Sequence, residues 1–292
     1  MKKGAYTLLV TPFKEDYSLD EEALRRLVRR QVDAGIHGIA PLGVTGENTL
    51  LDEDEVKRVV EIIVDEANGK TPVMPDIVSM RLDKSLDRAK MYADLGVDYI
   101  VSYTPYLVLP KPEGLIDYYE KLADASPVPI ILHTAKSRTG VELTPEMTAT
   151  LAKHPNIVAT KDGNKQLDHL AKVIYLTRND DFDVFTGKDT TAYPTVAFGG
   201  SGSFTVAGNA IPEVMREMID FAIAGKNEEA RKIHLDYYPV FEAFRFETNP
   251  MAAKKALELM GLINGSLRPP LSKLSEGKTK ILKSLLEERG FI

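Results

Sequence analysis

The hydrophobic pattern of the chain alternates between short apolar runs and longer amphipathic segments up to about residue 225. The apolar runs predict strands at 6–10, 36–40, 72–77, 97–102, 129–132, 157–163, 182–185 and 203–206. The amphipathic segments predict a helix after each strand, at 18–32, 52–68, 83–95, 115–125, 145–153, 167–177, 190–198 and 212–224. Apolar strands that alternate with helices indicate a parallel sheet covered by helices.

The number of strand–helix units separates two α/β folds. Eight units with short connections predict a closed (β/α)8 TIM barrel. The alternative is an open doubly wound sheet, which typically has a glycine-rich dinucleotide-binding turn after an early strand. The turn at 43–47 has the sequence Gly-Val-Thr-Gly-Glu and lacks that glycine spacing. The barrel is therefore the predicted fold.

Local signals mark several helix ends. Ser18, with Glu21 three residues later, has the spacing of a capping box and predicts that the first helix opens there. Gly35 is a typical stop for that helix. Thr144 followed by Pro145 predicts the start of the fifth helix, because proline is favoured at the first helical position.

The last part of the chain predicts helices without strands. Residues 228–246, 250–260 and 278–288 are amphipathic, and the composition before them does not resemble a flexible linker. We therefore divide the chain into a barrel catalytic domain, 1–225, and a C-terminal helical domain, 226–292. The second domain is expected to be an appendage of the barrel.

The composition narrows the possible partners and locations. The net charge of −6 is spread along the chain without a basic run, which argues against a nucleic-acid partner. The absence of cysteine excludes disulfides, thiolate nucleophiles and iron–sulfur clusters. No apolar run approaches the roughly 20 residues that a membrane span needs. We expect a cytoplasmic protein with no membrane partner and a small, anionic substrate.

Metal chemistry is not predicted either. The histidines do not show the paired spacing of metal ligands; they are His37, His133, His154, His169 and His234. We expect neither a metal nor another cofactor.

The active site of a TIM barrel lies at the C-terminal ends of its strands. The polar and glycine-rich positions there are Thr11, 43–47, 103–107, 133–138, Lys161, Gly187, Lys188 and 204–209. Among them, Lys161 directly follows the strand residues 157–160. A lysine held in a pocket is less readily charged and becomes a usable nucleophile, whereas most lysines at strand ends turn to water.

These residue types suit a 2-oxo acid as substrate. An amine attacks the oxo group, and backbone N–H groups and hydroxyls bind the carboxylate. The resulting iminium withdraws electrons, so a bond two carbons away can be made or broken. Each residue also has a purely structural interpretation: Arg138 as a surface arginine, His133 as a structural histidine, and 43–47 as an ordinary turn.

Seven stretches occur in an order and at a spacing that match a known family. They are 9–13 (Leu-Val-Thr-Pro-Phe), 43–47, 103–106 (Tyr-Thr-Pro-Tyr), 137–140 (Ser-Arg-Thr-Gly), Lys161, 248–250 (Thr-Asn-Pro) and 267–271 (Leu-Arg-Pro-Pro-Leu). By these stretches the chain resembles the dihydrodipicolinate synthase / N-acetylneuraminate lyase family of class I aldolases. Because the stretches run from residue 9 to residue 271, the resemblance covers nearly the whole chain. The resemblance implies a TIM barrel with a C-terminal helical domain that assembles as a homotetramer or a homodimer.

The resemblance also implies roles for single residues. Lys161 is the Schiff-base residue, and the loop around Val44 and Thr45 is the binding site for the carboxylate of pyruvate. Gly187 and Phe204 fall where the family lines its pocket. Arg138 falls where the synthases position the second substrate, and we expect it to orient the distal part of the substrate.

Three positions depart from the synthases. His133 stands in place of a proton-shuttling tyrosine, Val44 in place of a hydroxyl residue, and Leu107 in place of a second tyrosine that reaches a neighbouring subunit's site. A proton path cannot run through valine or leucine. The relay is thus reduced to an imidazole and two apolar side chains, and His133, with an ordinary pKa of ~6.5, is the predicted acid or base.

The expected activity is that of a Schiff-base-dependent lyase, either an aldolase or a dehydratase, acting on a 2-oxo acid. A 2-oxo-3-deoxy sugar acid is the expected substrate, because Asp162 stands where the synthases tend to have glutamate. One alternative is the synthase reaction between pyruvate and aspartate semialdehyde, which the retained Arg138 favours. Another is a catalytically inactive barrel that binds a small acid.

Overall fold

The computed structural model describes residues 1–164 and 166–292. The strands are β1 (Gly4–Leu8), β2 (Gly38–Ala40), β3 (Asp76–Ile77), β4 (Ile100–Tyr103), β5 (Ile130–Thr134), β6 (Ile157–Asp162), β7 (Asp183–Thr186) and β8 (Gly202–Thr205). The barrel helices are α1 (Glu21–Asp33), α2 (Glu53–Ala67), α3 (Leu82–Asp94), α4 (Pro112–Ala125), α5 (Lys136–Thr139), α6 (Pro145–Leu151), α7 (Leu167–Thr177), α8 (Ala192–Ala197) and α9 (Pro212–Ile223). The helices after them are α10 (Asn227–Ala243), α11 (Met251–Leu259) and α12 (Glu276–Glu287).

The strands form one parallel sheet that closes on itself. Their order is β2-β1-β8-β7-β6-β5-β4-β3, so the first strand pairs with the last. A single parallel bridge between Ile39 and Val73 joins the two ends of this order. The predicted TIM barrel is confirmed, and the C-terminal ends of all strands therefore meet at one face.

Aromatic and aliphatic side chains fill the inside of the barrel. Tyr6, Phe185 and Phe204 are buried in contact with one another, with the Tyr6 ring centroid 5.2 Å from each of the other two. A separate, larger apolar cluster lies between the strands and the surrounding helices. Because side chains pack the barrel interior, a ligand can enter only at the strand ends.

The first helix begins later than the sequence predicts. The Ser18 hydroxyl donates to Asp16 at 2.6 Å, so it does not cap the helix. The N-cap is Asp20, whose Oδ1 accepts from the N–H of Ala23 at 3.0 Å. The predicted capping box at Ser18 is wrong because Ser18 lies two residues before the N-cap, in a turn where its carbonyl accepts from the N–H of Lys14 at 2.8 Å.

The third strand is much shorter than predicted. The predicted span 72–77 contains Pro72 and Pro75, which have no N–H to donate to a ladder. Only Asp76–Ile77 is a strand, and the Asp76 N–H bonds to the carbonyl of Pro41 at 3.0 Å. Asp76 thereby becomes a strand residue whose side chain is buried in the barrel.

The fifth strand extends further than predicted. It continues through His133 to Thr134, because these residues stay in register with Lys161 and Asp162 on β6. His133 is therefore held by the sheet itself and not by the loop that follows. The C-terminal face places it directly beside Lys161.

The remaining helices pack against the barrel and against one another. Helix α10 lies against α9, and α12 contacts both α10 and α11. The predicted helices 228–246, 250–260 and 278–288 are thus present with ends shifted by a few residues. The division at residue 225 stays a prediction. Within residues 1–164 and 166–292, no helix is long and apolar enough to span a membrane.

Candidate active site

A cavity of about 380 Å³ opens at the C-terminal face of the barrel. Among its walls are most of the site residues predicted from the sequence: Val44, Thr45, His133, Arg138, Lys161 and Gly187. The other lining residues are Leu8, Tyr103, Ala135, Ser137, Gly163, Lys188, Asp189, Val206, Phe244, Arg245, Glu247 and Asn249. A concave site with a few convergent polar groups is typical of small-molecule binding.

Lys161 lies at the floor of this cavity. It is 3% exposed, and its Nζ lies 5.5 Å from the ring centroid of Phe204, which closes the barrel beneath it. Burial lowers the pKa of the Lys161 amine, whereas the charge of Asp76 acts in the opposite direction. An amine in such surroundings is more often neutral and so more nucleophilic than a solvated lysine.

His133 is the nearest polar neighbour of Lys161. Its Nδ1 lies 3.4 Å from Lys161 Nζ, and the side chain is buried. Burial, and then the charge of Lys161, lower the pKa of His133 to about 4. The ordinary pKa of about 6.5 therefore does not apply to His133, and near neutral pH the imidazole is uncharged and can accept a proton.

Two residues without a predicted role complete this cluster. Asp76 is fully buried, and its Oδ1 lies 3.4 Å from His133 Nδ1. The Tyr103 ring packs on the His133 ring with centroids 3.8 Å apart. A backbone hydrogen bond from Val44 reaches Tyr103, whose pKa burial raises well above its ordinary value. The cluster therefore contains a phenol to which the sequence assigned no role, in addition to the imidazole and the two apolar side chains at the relay positions.

The signals for Asp76 and Tyr103 were weak in the sequence. Tyr103 belongs to a stretch at a strand end, but nothing in one sequence shows that its ring turns toward His133. Asp76 stood inside a predicted apolar strand, where an acidic residue is unusual because a buried charge is costly. That mismatch of residue type and predicted burial was the available clue.

The predicted carboxylate loop is held from two sides. Thr45 is 2% exposed, and its Oγ1 accepts from Asn249 Nδ2 at 2.8 Å. The Thr11 hydroxyl donates to the carbonyl of Gly46 at 2.7 Å. Glu47 adopts a left-handed backbone conformation and forms a buried ion pair with Lys254. The segment that supplies Asn249 and Lys254 was not predicted to reach the site.

Gly187 and Arg138 occupy opposite parts of the cavity. A Cβ at Gly187 would meet the carbonyl oxygen of Asp162 at 3.3 Å and Lys161 Cε at 3.4 Å, so a side chain there would press on the lysine. Arg138 is exposed at the cavity mouth, where its Nη1 donates to Thr248 Oγ1 at 3.0 Å. Leu107 is 78% exposed and does not line the cavity.

The distal wall is strongly polar. It contains Lys188, Asp189, Arg245 and Glu247. Burial raises the pKa of Asp189 to about 6, while its Oδ2 accepts from the N–H of Ala207 at 3.1 Å. This wall can bind charged or hydroxylated groups of a substrate. No group of three or more histidine and acidic side chains in the described part of the chain is arranged to hold a metal.

Comparisons with known proteins agree with this geometry. The profile of the dihydrodipicolinate synthetase family matches residues 1–289. The 4-hydroxy-tetrahydrodipicolinate synthase of Methanospirillum hungatei is 39% identical over 288 residues, which cover 98% of this chain and 99% of the relative. That of Methanopyrus kandleri is also 39% identical, with 99% and 97% covered.

Solved structures are equally similar. Dihydrodipicolinate synthase from Thermotoga maritima superposes with a TM-score of 0.97 at 34% identity, with both chains covered to 100%. The chloride-inhibited enzyme from Acinetobacter baumannii, solved with pyruvate, has a TM-score of 0.97 at 30% identity and the same coverage. The chain therefore belongs to the dihydrodipicolinate synthetase family, whose members are pyruvate-dependent class I lyases that act through a lysine Schiff base without a metal.

Proposed function

We propose that Lys161 is the Schiff-base residue and that it binds pyruvate. The observation that supports this most is the position of Nζ, buried in the cavity and 3.4 Å from an uncharged imidazole. Lys161 attacks the oxo carbon of pyruvate, and the oxygen leaves as water. The iminium then loses a proton from C3, and the enamine that results is a carbon nucleophile.

The other predicted site residues bind the substrate. Because the Thr45 oxygen accepts from Asn249, its hydroxyl hydrogen can be donated to the carboxylate of pyruvate. Backbone N–H groups of the loop around Val44 add donors. Gly187 leaves room beside Lys161, and Phe204 forms the apolar floor. His133 is the acid and base that moves protons at the nitrogen and the oxygen.

The activity supported best is that of 4-hydroxy-tetrahydrodipicolinate synthase. In this reaction the enamine carbon attacks the aldehyde carbon of aspartate semialdehyde, the aldehyde oxygen gains a proton, and the iminium is restored. The amino group of the added substrate then attacks the iminium carbon, the bond from that carbon to Lys161 Nζ breaks, and the free lysine amine is released as the ring closes. Relatives at 39% identity bear this name, and Arg138 at the cavity mouth suits the carboxylate of the second substrate.

A second candidate is the cleavage or dehydration of a 2-oxo-3-deoxy sugar acid. The distal wall supports it, since Lys188, Asp189 and Glu247 offer both donors and acceptors to a chain of hydroxyl groups.

We place the enzyme in the cytoplasm as a homotetramer or a homodimer. The exposed apolar residues Leu107, Val108 and Leu109, next to the cavity mouth, support an association of copies. A monomeric dihydrodipicolinate synthase variant is nevertheless among the similar structures, at 33% identity.

Borohydride trapping tests the Schiff base. Protein incubated with pyruvate and sodium borohydride is expected to gain the mass of a reduced pyruvate adduct. Lys161→Ala is expected to gain none, and Lys172→Ala, which removes an exposed lysine, should be labelled as the unaltered protein is. The absence of an adduct on the unaltered protein would contradict the proposal and leave the catalytically inactive barrel.

A substrate panel separates the two candidate reactions. Turnover of pyruvate with aspartate semialdehyde, measured with a coupled reductase, is the expected result. Pyruvate released from 3-deoxy-2-oxo sugar acids, with no reaction of the semialdehyde, would favour the second candidate. An adduct without turnover of either substrate would contradict both.

A further inference from the structure

A buried carboxylate next to Lys161 has no role in the steps described so far. Asp76, on β3, is 0% exposed, and its Oδ2 has no hydrogen-bond partner among the described residues. A Cβ on Gly43 would lie 2.7 Å from that oxygen, so the carboxylate is packed against the backbone of the 43–47 loop. A charge held in this way is costly, and such groups call for a functional explanation.

The contacts of Asp76 suggest what it acts on. Its Oδ1 lies 3.4 Å from His133 Nδ1, and the same nitrogen lies 3.4 Å from Lys161 Nζ. Nδ1 thus stands between an amine and a carboxylate. In the tautomer that carries its hydrogen on Nε2, Nδ1 can take a proton from the amine, which creates an imidazolium. A negative charge beside it stabilises that ion.

The surroundings make this charge effective. Tyr103 packs on the His133 ring at a centroid distance of 3.8 Å, and His133 and Asp76 are only 3% and 0% exposed, so solvent screens their interaction little. The titratable groups that face His133 are Asp76 on β3, Tyr103 on β4, and Lys161 and Asp162 on β6, with Arg138 acting on Tyr103. The charge of Asp76 favours a proton on His133, whereas burial and Lys161 disfavour it.

We propose that Asp76 is a positioning residue that stabilises the His133 imidazolium while Lys161 forms its Schiff base. The proposal rests on the function proposed for Lys161. In the forward direction His133 takes a proton from the Lys161 ammonium, and the free amine forms a bond to the oxo carbon. His133 returns that proton to the oxygen, then takes a second from the nitrogen and delivers it to the hydroxyl. The C–O bond breaks, water leaves, and the iminium keeps one hydrogen.

The rate of adduct formation tests this role, measured by quenching with borohydride at successive times and at several pH values. Asp76→Asn is expected to slow the reaction at least tenfold near neutral pH. The acidic limb of the variant's pH–rate profile should also move down by at least about one pH unit. The removal of a nearby negative charge makes the Lys161 ammonium easier to deprotonate. A residue that serves only packing would reduce the amount of adduct and leave the limb in place.

Three further variants control the experiment. Asp220→Asn removes the carboxylate from a second histidine pair, 3.1 Å from His37 Nε2 and remote from the cavity, and should not change the rate. In a His133→Gln background, Asp76→Asn should change the rate above the acidic limb by less than twofold, since that part of its effect acts through His133. The limb should still move, because the charge of Asp76 also acts on Lys161 directly. Asp76→Glu keeps the charge, and its rate of adduct formation is expected to stay within tenfold of that of the unaltered protein.

The outcomes are separable. No adduct on the unaltered protein overturns the function proposed for Lys161, whatever the variants do. If Asp76→Asn, folded by circular dichroism, forms the adduct at the unaltered rate near neutral pH, the role of Asp76 alone is overturned. If the asparagine variant does not fold, Asp76→Glu decides, and a loss of tenfold or more in the folded glutamate variant overturns the proposal.

Discussion

Two buried lysines in this protein have opposite surroundings. Lys254, on α11, is 0% exposed, forms an ion pair with Glu47, donates to the carbonyl of Ser266 at 2.8 Å and lies 4.1 Å from the ring centroid of Phe13. Lys161 is 3% exposed and has an imidazole at 3.4 Å as its polar contact. Both side chains end in the same amine, and in both burial lowers the pKa.

The two lysines differ in whether a carboxylate in direct contact stabilises the charged ammonium form. The carboxylate of Glu47 compensates the charge of Lys254, so that lysine joins the 43–47 loop to α11 as a structural element. Among residues 1–164 and 166–292, Lys161 has no carboxylate in direct contact, which favours the neutral, nucleophilic form of the amine. Burial of a lysine therefore does not by itself indicate catalysis; the partner that accompanies the amine decides its role.

The largest effect is expected from Lys254→Met. Removal of one member of a buried ion pair leaves the Glu47 carboxylate uncompensated, which costs about 3–5 kcal/mol. Urea unfolding followed by circular dichroism measures this loss in the free energy of unfolding. The double variant Lys254→Met with Glu47→Leu should recover most of it, and a loss below about 1 kcal/mol in the single variant would refute the structural role.

A smaller effect concerns acid stability and His133. Its pKa of about 4 in the folded protein lies below the ordinary value of about 6.5. As the pH falls from 6.5 to 4, the unfolded chain binds the proton first, so this histidine makes the folded state less stable by about 3 kcal/mol. Urea unfolding at pH 7 and pH 4 measures how much free energy of unfolding is lost on acidification. That loss should be smaller in His133→Gln than in the unaltered protein, by about 3 kcal/mol. Equal losses would contradict the burial of an uncharged imidazole.

The smallest effect is expected from Lys161→Met. The lowered pKa means that the folded state disfavours the charged amine, so an apolar side chain of similar length should stabilise the protein by about 1 kcal/mol. The melting temperature should rise by about 2 °C. Lys172→Met, at an exposed position, should change the stability by less than about 0.5 kcal/mol. A destabilised Lys161→Met would mean that both lysines serve the fold.

Most of the fold followed from the period of apolar and polar positions. The helix predicted at 167–177 has those ends in the structure, and each predicted strand overlaps an observed one. Errors occurred at two places: Asp16 takes the hydroxyl of Ser18, and Pro72 and Pro75 shorten β3. The hydrophobic period alone contains neither the turn around Ser18 nor the missing N–H groups of the two prolines.

The site was predicted less completely. Lys161 and His133 were found because both stand at the ends of apolar strands, and the structure places them side by side. Asp76 and Asn249 were missed because their contacts join positions 57 and 204 residues apart in the chain. Only the closed barrel and the packing of the last helices bring those pairs together.

The sequence by itself determined the barrel, the face that holds the site and the amine that lies there. These follow from the hydrophobic period of each segment and from the order of strands and helices along the chain, which can be read from the residues alone. The tertiary structure decided how charged each group is. Lys161 and Lys254 differ in their partners, and His133 differs from an ordinary histidine through burial and the charge of Lys161. Charge in a protein interior depends on every group within a few ångströms, and those groups come from distant parts of the chain.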